Sequence, residues 1–435
     1  MTVNIISIRL LDHKNFHNNR DFFVKVLINS EEFYSPNWND SAYLYDIKWT
    51  ATANVADDIE YVNISIELFD NSIFEVNTKT QGYIANLIYN IKTGHWTGDD
   101  YVGDPSGYGR LNSYESEGIC RCENNYELWF NIYQNDFDGD GIPYWTEINI
   151  YGTNPEYNNT GEDLDGDNLP IEWEHKWMYK PNIWDNHVQL DIDNDSLTNV
   201  EEYRMSTWGA DPYRKDIFIE MDIMADGPLG QNSSVSNNSK ELLKSTFNRR
   251  NIVFHIDDGC MGGGETIPFD LKTDSKDLPY IYKTYFLHNN SDNWRRSVFR
   301  YAMIVYNYYP ASGIAFVGEN PHFFWHMQGI NTYVISAQSV QKTSIKLSKT
   351  LDFIFACMIM HETGHTFGID FLFPIGCDNI RTTRPFSLAY WLFGNYKSCM
   401  NYRYVYSILD YSDGSHGLFD YNDWANLDFS FFEKT

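Results

Sequence analysis

Short stretches in which apolar and polar residues alternate run through the first part of the chain. The clearest are FFVKVLI (22–28), YVNISIELF (61–69) and YELWFNIY (126–133), and turn-forming clusters such as SPNWND (35–40) separate them. Alternation with a period of two, rich in Val, Ile, Tyr and Phe, is typical of half-buried strands. The pattern predicts an all-β sandwich over residues 1–134.

From residue 215 onwards the pattern changes to an alternation of strands and helices, which predicts an α/β or α+β domain over residues 214–435, with α+β preferred. The predicted strands are 215–224, 251–259, 313–317 and 331–336, and the predicted helices are 240–250, 294–309 and 347–368. The last helix, LSKTLDFIFACMIMHETGHTFG, is apolar almost all round. Such a helix is expected to be buried on every side.

Composition restricts the classes of function that the chain can have. The 435 residues are 43% hydrophobic and 17% aromatic, which indicates a folded protein, and the length suggests about three domains. The net charge of −28 argues against nucleic-acid binding, because phosphates would be repelled. No apolar run approaches the ~18 residues that a transmembrane helix needs. The first residues also lack the basic start of a signal peptide.

The negative charge is concentrated in one segment. Residues 136–216 hold 19 Asp or Glu against 5 Lys or Arg, a net of −14. One pattern occurs there three times, with acidic residues at positions 1, 3, 5 and 12 of a twelve-residue loop. The three sets are Asp136, Asp138, Asp140 and Glu147; Asp163, Asp165, Asp167 and Glu174; and Asp191, Asp193, Asp195 and Glu202.

This spacing suits a hard cation. Ca²⁺ takes about six to eight oxygen ligands, and the loop supplies three short carboxylates, a backbone carbonyl and one bidentate Glu. Position 6 needs a turn with positive φ, which Gly141 adopts most easily, Asn168 tolerates and Ser196 accommodates least well. Without a cation the crowded carboxylates repel one another. The pattern predicts two to three structural calcium ions in residues 135–213.

The three loops also resemble a known kind of calcium array. They begin 27 and 28 residues apart, and the turns YGTNP (151–155) and WGADP (208–212) follow the first and the third. These features are similar to thrombospondin type-3-like and other EF-hand-like repeats. The resemblance implies a structural calcium-bound spacer between neighbouring domains rather than a calcium sensor.

The predicted helix at 347–368 contains HETGH, with His361, Glu362 and His365. Histidines at i and i+4 lie on one face of a helix, so both imidazoles can bind one zinc ion. Glu362 lies next to the first ligand and can take a proton from zinc-bound water. Without a metal, these groups would be costly in a buried apolar helix. The motif predicts one catalytic zinc ion with Glu362 as general base.

The sequence around this motif resembles the metzincin clan of zinc peptidases. A glycine, Gly368, follows His365 by three residues, and NYKSCMNY (395–402) is similar to the methionine turn of that clan. The resemblance implies that Met400 forms the hydrophobic floor beneath the zinc. It also gives Tyr402 the role of the tyrosine that binds zinc or the oxyanion in astacin-like and serralysin-like members.

The third zinc ligand departs from the pattern of the clan, because Phe371 stands where the ligand would fall. Asp370 lies one position early and Asp378 lies in a turn a little later, and either carboxylate could complete a His₂Asp site. Cys377 is a further alternative, and a disulfide between Cys377 and Cys399 is another. A downstream Glu is excluded as the ligand, since after the motif the next one is almost at the end of the chain.

The sequence thus predicts a calcium-stabilised zinc metalloendopeptidase that acts on proteins or peptides. In metzincins the substrate adds a strand to the edge of a sheet, and residues 332–336 are the expected edge. The alternative is a catalytically degenerate, calcium-braced surface or adhesion protein. Calcium loops of this kind fill readily outside cells, which favours an extracellular or cell-surface location.

Overall fold

The computed structural model describes residues 1–11, 21–39, 41–56, 58–70, 82–112, 124–309, 311–316, 331–369 and 373–431. These residues form two compact units. Unit 1 comprises Met1–Asp193 with Thr198–Arg214, and unit 2 comprises Asn194–Leu197 with Lys215–Thr435. Several sheets and a set of helices make up the chain, as predicted for a multidomain protein of mixed architecture.

Unit 1 contains two antiparallel sheets in its described residues. One has the strand order β4-β1-β10-β9, with β5 also paired to β1, and the other has the order β3-β2-β6-β7-β8. The strands are β1 Thr2–Leu10, β2 Phe22–Ile28, β3 Glu31–Tyr34, β4 Tyr43–Leu44, β5 Trp49–Thr52, β6 Tyr61–Asp70, β7 Gly82–Asn90, β8 His95–Gly98, β9 Tyr108–Asn112 and β10 Asn124–Tyr133.

The alternation in the sequence determines which residues of these strands are buried. In β2, Phe22, Val24, Val26 and Ile28 are buried, while the residues between them are partly exposed. Apolar residues from both sheets belong to a single hydrophobic core. The strands predicted at 22–28, 61–69 and 126–133 are all present.

The acidic part of unit 1 has little regular structure. It contains three short helices, α1 Tyr144–Thr146, α2 Ile171–Lys176 and α3 Asn199–Met205, together with a π-helical turn at Glu147–Tyr151 and a 3₁₀ turn at Ser206–Trp208. Its small apolar core is formed by Leu169, Trp173 and Trp177. So small a core leaves much of the stability of this region to other interactions.

Unit 2 is built around a mostly parallel sheet. The strands are β11 Asp216–Met224, β12 Val253–Asp257, β13 Thr266–Ile267, β14 Phe299–Val305, β15 Gly313–Phe316 and β16 Thr332–Ser336. Their order among the described residues is β12-β11-β14-β16-β15, with β13 also paired to β11, and β15 is antiparallel to β16. The helices are α4 Asn237–Asn248, α5 Leu278–Ile281, α6 Arg295–Val298, α7 Ala337–Leu347, α8 Leu351–His365 and α9 Leu388–Leu392.

One predicted helix of unit 2 is wrong. Residues 294–309 form only the short helix α6, and the chain then continues into the strand β14. Every residue of β14 is buried, so both faces of the sheet are covered along this strand, which pairs in parallel with β11 on one side and with β16 on the other. A strand that is covered on both faces has no apolar–polar alternation and is indistinguishable in sequence from a buried helix.

Candidate functional site

The motif helix α8 has a side-chain cap at its start and a left-handed glycine shortly after its end. The side chain of Thr350 caps its first turn by accepting the N–H of Phe353, and the helix ends at His365. Gly368 then adopts a left-handed conformation with φ 82°, which reverses the chain. From Ile354 to His365 every residue of the helix is buried. The predicted helix at 347–368 is therefore shorter than expected, and α7 precedes it as a separate element.

The two histidines of α8 are fixed by backbone carbonyls. His361 Nδ1–H donates to the carbonyl oxygen of Cys399 (2.9 Å), and His365 Nδ1–H donates to that of Ile369 (2.6 Å). A carbonyl can only accept, so Nδ1 carries a proton in both rings, and Nε2 is the nitrogen that can bind a metal when the ring is neutral. Such a hydrogen bond is the usual support of a metal-binding imidazole.

Asp378 closes the group from the loop after α8. Its Oδ2 lies 3.2 Å from His365 Nε2 and 3.9 Å from His361 Nε2. Its other oxygen accepts the thiol of Cys377 (3.6 Å). One nitrogen or oxygen from each of the three residues lies within 4.8 Å of the others. Two imidazoles and one carboxylate are a donor set that zinc takes in proteins, and these residues therefore fit the ion.

Burial and charge give the two histidines opposite pKa shifts. Burial lowers the pKa of His361 to about 4, and the charge of His365 lowers it further. Burial also lowers the pKa of His365, but the hydrogen bond and the charge of Asp378 outweigh it and raise that pKa to about 9. Burial raises the pKa of Asp378, whereas His365 and His361 hold it below its usual value. The carboxylate and its neighbouring imidazole thus stabilise each other as an ion pair.

The carboxylate of Glu362 lies against β15. The backbone N–H of Ala315 donates to its carboxylate, and the chain at Gly313 passes so close that an added Cβ would lie 2.3 Å from Glu362 Oε1. Burial, with a smaller contribution from Asp378, raises the pKa of Glu362 to about 8 despite the opposing charge of His365. A carboxyl group whose pKa lies near neutrality is suited to proton transfer.

Met400 and Tyr402 lie beside the histidines. Met400 is fully buried, and a Cβ added to Gly364 would lie 2.5 Å from its sulfur, so it packs directly against the turn between His361 and His365. The ring of Tyr402 stacks at 6.1 Å from that of His361, and its side chain is 40% exposed. Burial and the charges of Asp378 and Glu362 raise the pKa of Tyr402, so its hydroxyl remains a proton donor.

Of three further expectations for this region, one lies outside the described residues and two are wrong. Asp370, the other carboxylate considered as third ligand, lies outside the described residues, as does Phe371. The Cys377–Cys399 disulfide is wrong: both residues are free thiols, and the Cys377 thiol bonds to Asp378 instead. The edge strand at 332–336 is also wrong, because β16 lies inside the sheet and β15 lies at the end of the described strand order.

In the first acidic loop the carboxylates converge. Asp136, Asp138 and Asp140 each bring an oxygen within 4.8 Å of the others, and Gly141 adopts φ 85° and donates its N–H to Asp136 (2.6 Å). Among the described residues, both oxygens of Asp138 and Oε2 of Glu147 are buried without a hydrogen-bond partner. Burial, then the charges of Asp140 and Asp138, raise the pKa of Glu147 to about 7. This set fits a hard cation.

The second loop repeats the arrangement. Asp163, Asp165 and Asp167 also bring three oxygens together, and Asn168 adopts φ 81° and donates its N–H to Asp163 (2.9 Å). Both carboxylate oxygens of Asp165 and of Glu174 are buried with no hydrogen-bond partner in the described part of the chain. Buried carboxylates without partners are costly, which again fits a bound cation.

The third loop is divided between the two units. Asp191, Asp193 and Glu202 belong to unit 1, and Asp195 belongs to unit 2. Ser196 adopts φ 75°, the conformation that position 6 requires, although serine suits it least.

Sequence reasoning missed a second role of the position-5 aspartates. In every loop this carboxylate accepts one backbone N–H from two residues further on and another from 18 to 21 residues further on. No spacing rule for calcium loops contains the second bond. The donors are Ile142 and Asn159 to Asp140, Leu169 and Asp185 to Asp167, and Leu197 and Asp216 to Asp195.

Comparison with known proteins adds no identity. No family model matches the chain, and no curated protein matches it either. Among the described helices, none combines the length and the apolar character that crossing a bilayer requires. Inference about function therefore rests on the geometry of the site.

Proposed function

We propose that the chain is a zinc-dependent endopeptidase braced by calcium. The observation that carries the proposal is the convergence of His361 Nε2, His365 Nε2 and Asp378 Oδ2, with each Nδ1 already committed to a backbone carbonyl. This arrangement holds three donors towards one point and leaves the carboxylate of Glu362 beside them. It corresponds to a metzincin-like catalytic domain in unit 2.

Each side chain has a defined task in this proposal. Zinc, when bound, polarises the peptide carbonyl and lowers the pKa of a bound water to ~7. Glu362 takes the proton of the attacking water and passes it to the leaving amine. Tyr402, with its hydroxyl protonated, donates a hydrogen bond to the developing oxyanion. Met400 packs beneath the histidines and keeps their spacing.

The substrate is proposed to add a strand to the edge formed by β15. A strand edge offers main-chain N–H and C=O groups to an extended peptide, so binding reads little of the side-chain sequence. Ala315 in this strand already contacts Glu362, which would bring the bound peptide next to the general base. The peptidase is accordingly proposed to cleave unfolded or extended segments of proteins.

The acidic loops are proposed to hold two to three calcium ions that order the segment between a β-sandwich and the catalytic domain. The support is the group of buried carboxylate oxygens without partners in the first two loops. Calcium at extracellular levels would keep these loops filled. We accordingly propose an extracellular or cell-surface location.

The substitution Glu362→Gln tests the proposal. Cleavage of casein by the zinc- and calcium-loaded protein should fall by ~10²–10⁴-fold while the zinc content stays the same. Asp352→Asn is the matched control, since this carboxylate lies in the first turn of the same helix and bonds only at the surface. Unchanged cleavage by Glu362→Gln would refute the role of the base. No cleavage by the loaded wild-type protein would favour a catalytically degenerate binding protein.

A further inference from the structure

A third kind of metal-ligating group lies behind the second acidic loop. His187, Asp167 and Glu174 have fully buried side chains. His187 Nε2 lies 3.2 Å from Asp167 Oδ2 and 3.8 Å from Glu174 Oε1, and one ligand atom from each residue lies within 4.8 Å of the others. The sequence pattern assigned both carboxylates to a calcium loop and gave no role to the histidine.

These three side chains lie close together but do not form well-aligned hydrogen bonds with one another. Among the described residues, neither His187 Nε2 nor either carboxylate oxygen of Glu174 makes a hydrogen bond of good geometry, and His187 lies only at ion-pair distance from the two carboxylates. A buried carboxylate and a buried imidazole nitrogen that lack partners are each unfavourable. An ion between them would satisfy all three atoms at once. This is an observation separate from the clustering of acidic residues.

The ring of His187 is held in place from several sides. Asn199 Nδ2 donates to His187 Nδ1 (2.8 Å), and the rings of Tyr179 and Trp173 meet the imidazole edge-to-face at 4.9 and 6.3 Å. Binding of a metal at Nε2 requires the opposite orientation of the Asn199 amide, in which its oxygen accepts the proton of Nδ1. The ring itself is held with Nε2 towards the two carboxylates.

The two carboxylates are also positioned by the backbone. Asp167 accepts the N–H groups of Leu169 (3.1 Å) and Asp185 (3.2 Å), and Glu174 lies on helix α2. The nitrogen-to-oxygen distances of 3.2 and 3.8 Å match those of 3.2 and 3.9 Å that Asp378 makes with its two histidines. Donors at this spacing can share one ion of transition-metal size.

We propose that His187, Asp167 and Glu174 form a second transition-metal site, which takes an ion of the zinc, cobalt or manganese class in the second loop and leaves the first and third loops to calcium. Calcium prefers oxygen ligands, whereas an imidazole together with carboxylates suits these borderline ions. The first loop has no such nitrogen, since the described contact of Glu147 is with the hydroxyl of Thr153 (3.2 Å). The site is independent of peptidase activity and goes beyond the proposed function.

Counting bound zinc tests this site on the full chain. The protein is stripped with a chelator and reloaded with Zn²⁺ in excess Ca²⁺, and the metal is measured after gel filtration. Wild type should retain two zinc ions per chain, and His187→Ala should retain one fewer. His288→Ala is the control, because its side chain is 44% exposed and its ion pair among the described residues is with the single carboxylate of Glu265, and it should retain the wild-type number.

The double variant His361→Ala/His365→Ala separates this inference from the proposed peptidase. It should keep one zinc ion, and X-ray absorption of that ion should detect one imidazole among oxygen ligands. This measurement does not depend on whether His187→Ala folds. A shell of oxygens alone, displacement of the zinc by calcium, or an unchanged zinc number in folded His187→Ala would overturn the proposal. A wild-type protein with a single His187-dependent zinc would instead refute the peptidase centre.

Discussion

The motif helix of unit 2 and the first acidic loop of unit 1 both gather ionisable side chains, but they prepare them differently. His361 and His365 lie on a buried helix, and their Nδ1 atoms are bonded to carbonyls. Asp138 and Glu147 lie in a loop or at its end, with buried oxygens that have no partner among the described residues. The side chains of the helix therefore hold their positions before an ion binds. The folded conformation of the loop, in contrast, is unfavourable until an ion neutralises its carboxylates.

Because of this difference, losing zinc and losing calcium should have different consequences for the protein. At the helix, packing of the apolar residues of α8 holds the geometry, so an ion mainly adds chemistry. In the loop, burial and then the charges of Asp140 and Asp138 raise the pKa of Glu147, and both oppose the compact state. We therefore expect zinc removal to abolish activity with little unfolding, and calcium removal to unfold the acidic segment.

The largest effect is expected from Asp378→Asn. The amide has the same shape and can still accept the thiol of Cys377, but it removes the negative charge that faces both histidines. Loss of even an outer partner of a metal ligand costs about 10- to 100-fold in affinity, so loss of a ligand should cost more than ~100-fold. Competition with a chromophoric chelator measures the zinc affinity.

Asp352→Asn is again the control and should bind zinc as the wild type does. In the absence of zinc the unfolding temperature of Asp378→Asn should fall, because the variant loses the ion pair between Asp378 and His365, so zinc affinity and stability are measured separately. Wild-type zinc affinity in Asp378→Asn would exclude this residue as the third ligand and return attention to Asp370.

Calcium removal should have the next largest effect, and it should act on the acidic loops of unit 1 rather than on the motif helix. An ion present at 100 times its Kd stabilises the folded state by about 2.7 kcal/mol. A chelator that prefers calcium over zinc should therefore lower the free energy of unfolding of unit 1 by about this amount for each filled loop. Limited proteolysis with mass spectrometry should then find new cleavage sites within residues 136–193.

Magnesium in place of calcium is the control, since it dehydrates reluctantly and fits such loops poorly. Unit 2 should keep its protease resistance under the same treatment. An identical digestion pattern with and without chelator would contradict calcium binding by the loops.

The two regions also differ in how much the sequence could predict. The spacing of carboxylates and the HETGH motif are local patterns, and both identify residues that lie together in the structure. The choice of Asp378 depends on a chain reversal after Gly368, which spacing alone does not determine. The bond from Asn159 to Asp140 and the approach of His187 to Glu174 are equally non-local.

The fold shows the same division between local and non-local information. The alternating strand β2 was predicted with its bounds, because one face is buried and the other is partly exposed. The strand β14 was predicted as a helix, because both of its faces are buried and the alternation is lost. The position of β16 inside the sheet depends on where β15 returns, and no residue of β16 signals this.

A smaller effect is expected from pH and belongs to unit 1. Burial, and then the charge of His95, lower the pKa of His175 from 6.5 to about 3. Below pH 6.5 the unfolded chain binds a proton at this residue and the folded chain does not, so stability falls with falling pH. At pH 5 the loss should be about 2 kcal/mol, since 1.36 kcal/mol corresponds to one pKa unit.

The measurement is denaturant unfolding of unit 1 between pH 7.5 and 5 in saturating calcium, which keeps the loop carboxylates ionised. His175→Gln can still bond to the hydroxyl of Tyr151, which lies 2.9 Å from His175 Nδ1, but it does not titrate. Between pH 7.5 and 5 the variant should therefore lose ~2 kcal/mol less free energy of unfolding than the wild type. Parallel pH curves for the two proteins would show that burial of His175 does not control the acid response.

The smallest effects come from two glycines that are needed for different physical reasons. An added Cβ at Gly364 would lie 2.5 Å from Met400 Sδ, whereas at Gly141 it would meet nothing within 4 Å but the residue has φ 85°. Gly364→Ala should therefore cost ~1 kcal/mol, with overpacking only partly offset by better helix propensity. Gly141→Ala should cost ~1 kcal/mol through backbone strain.

A second substitution distinguishes these reasons. In a Met400→Ala background the contact at 2.5 Å is removed and the hydroxyl of Tyr411, at 3.1 Å, is the nearest remaining atom, so Gly364→Ala should cost less than in the wild type and become stabilising by at most ~1 kcal/mol, the helix propensity of alanine over glycine. No removal of a neighbour should rescue Gly141→Ala, because its strain lies in its own backbone. Denaturant unfolding of the four proteins in the Gly364 cycle gives the coupling energy. A coupling near zero would mean that Met400 does not press on the helix, and its role as the floor of the site would fail.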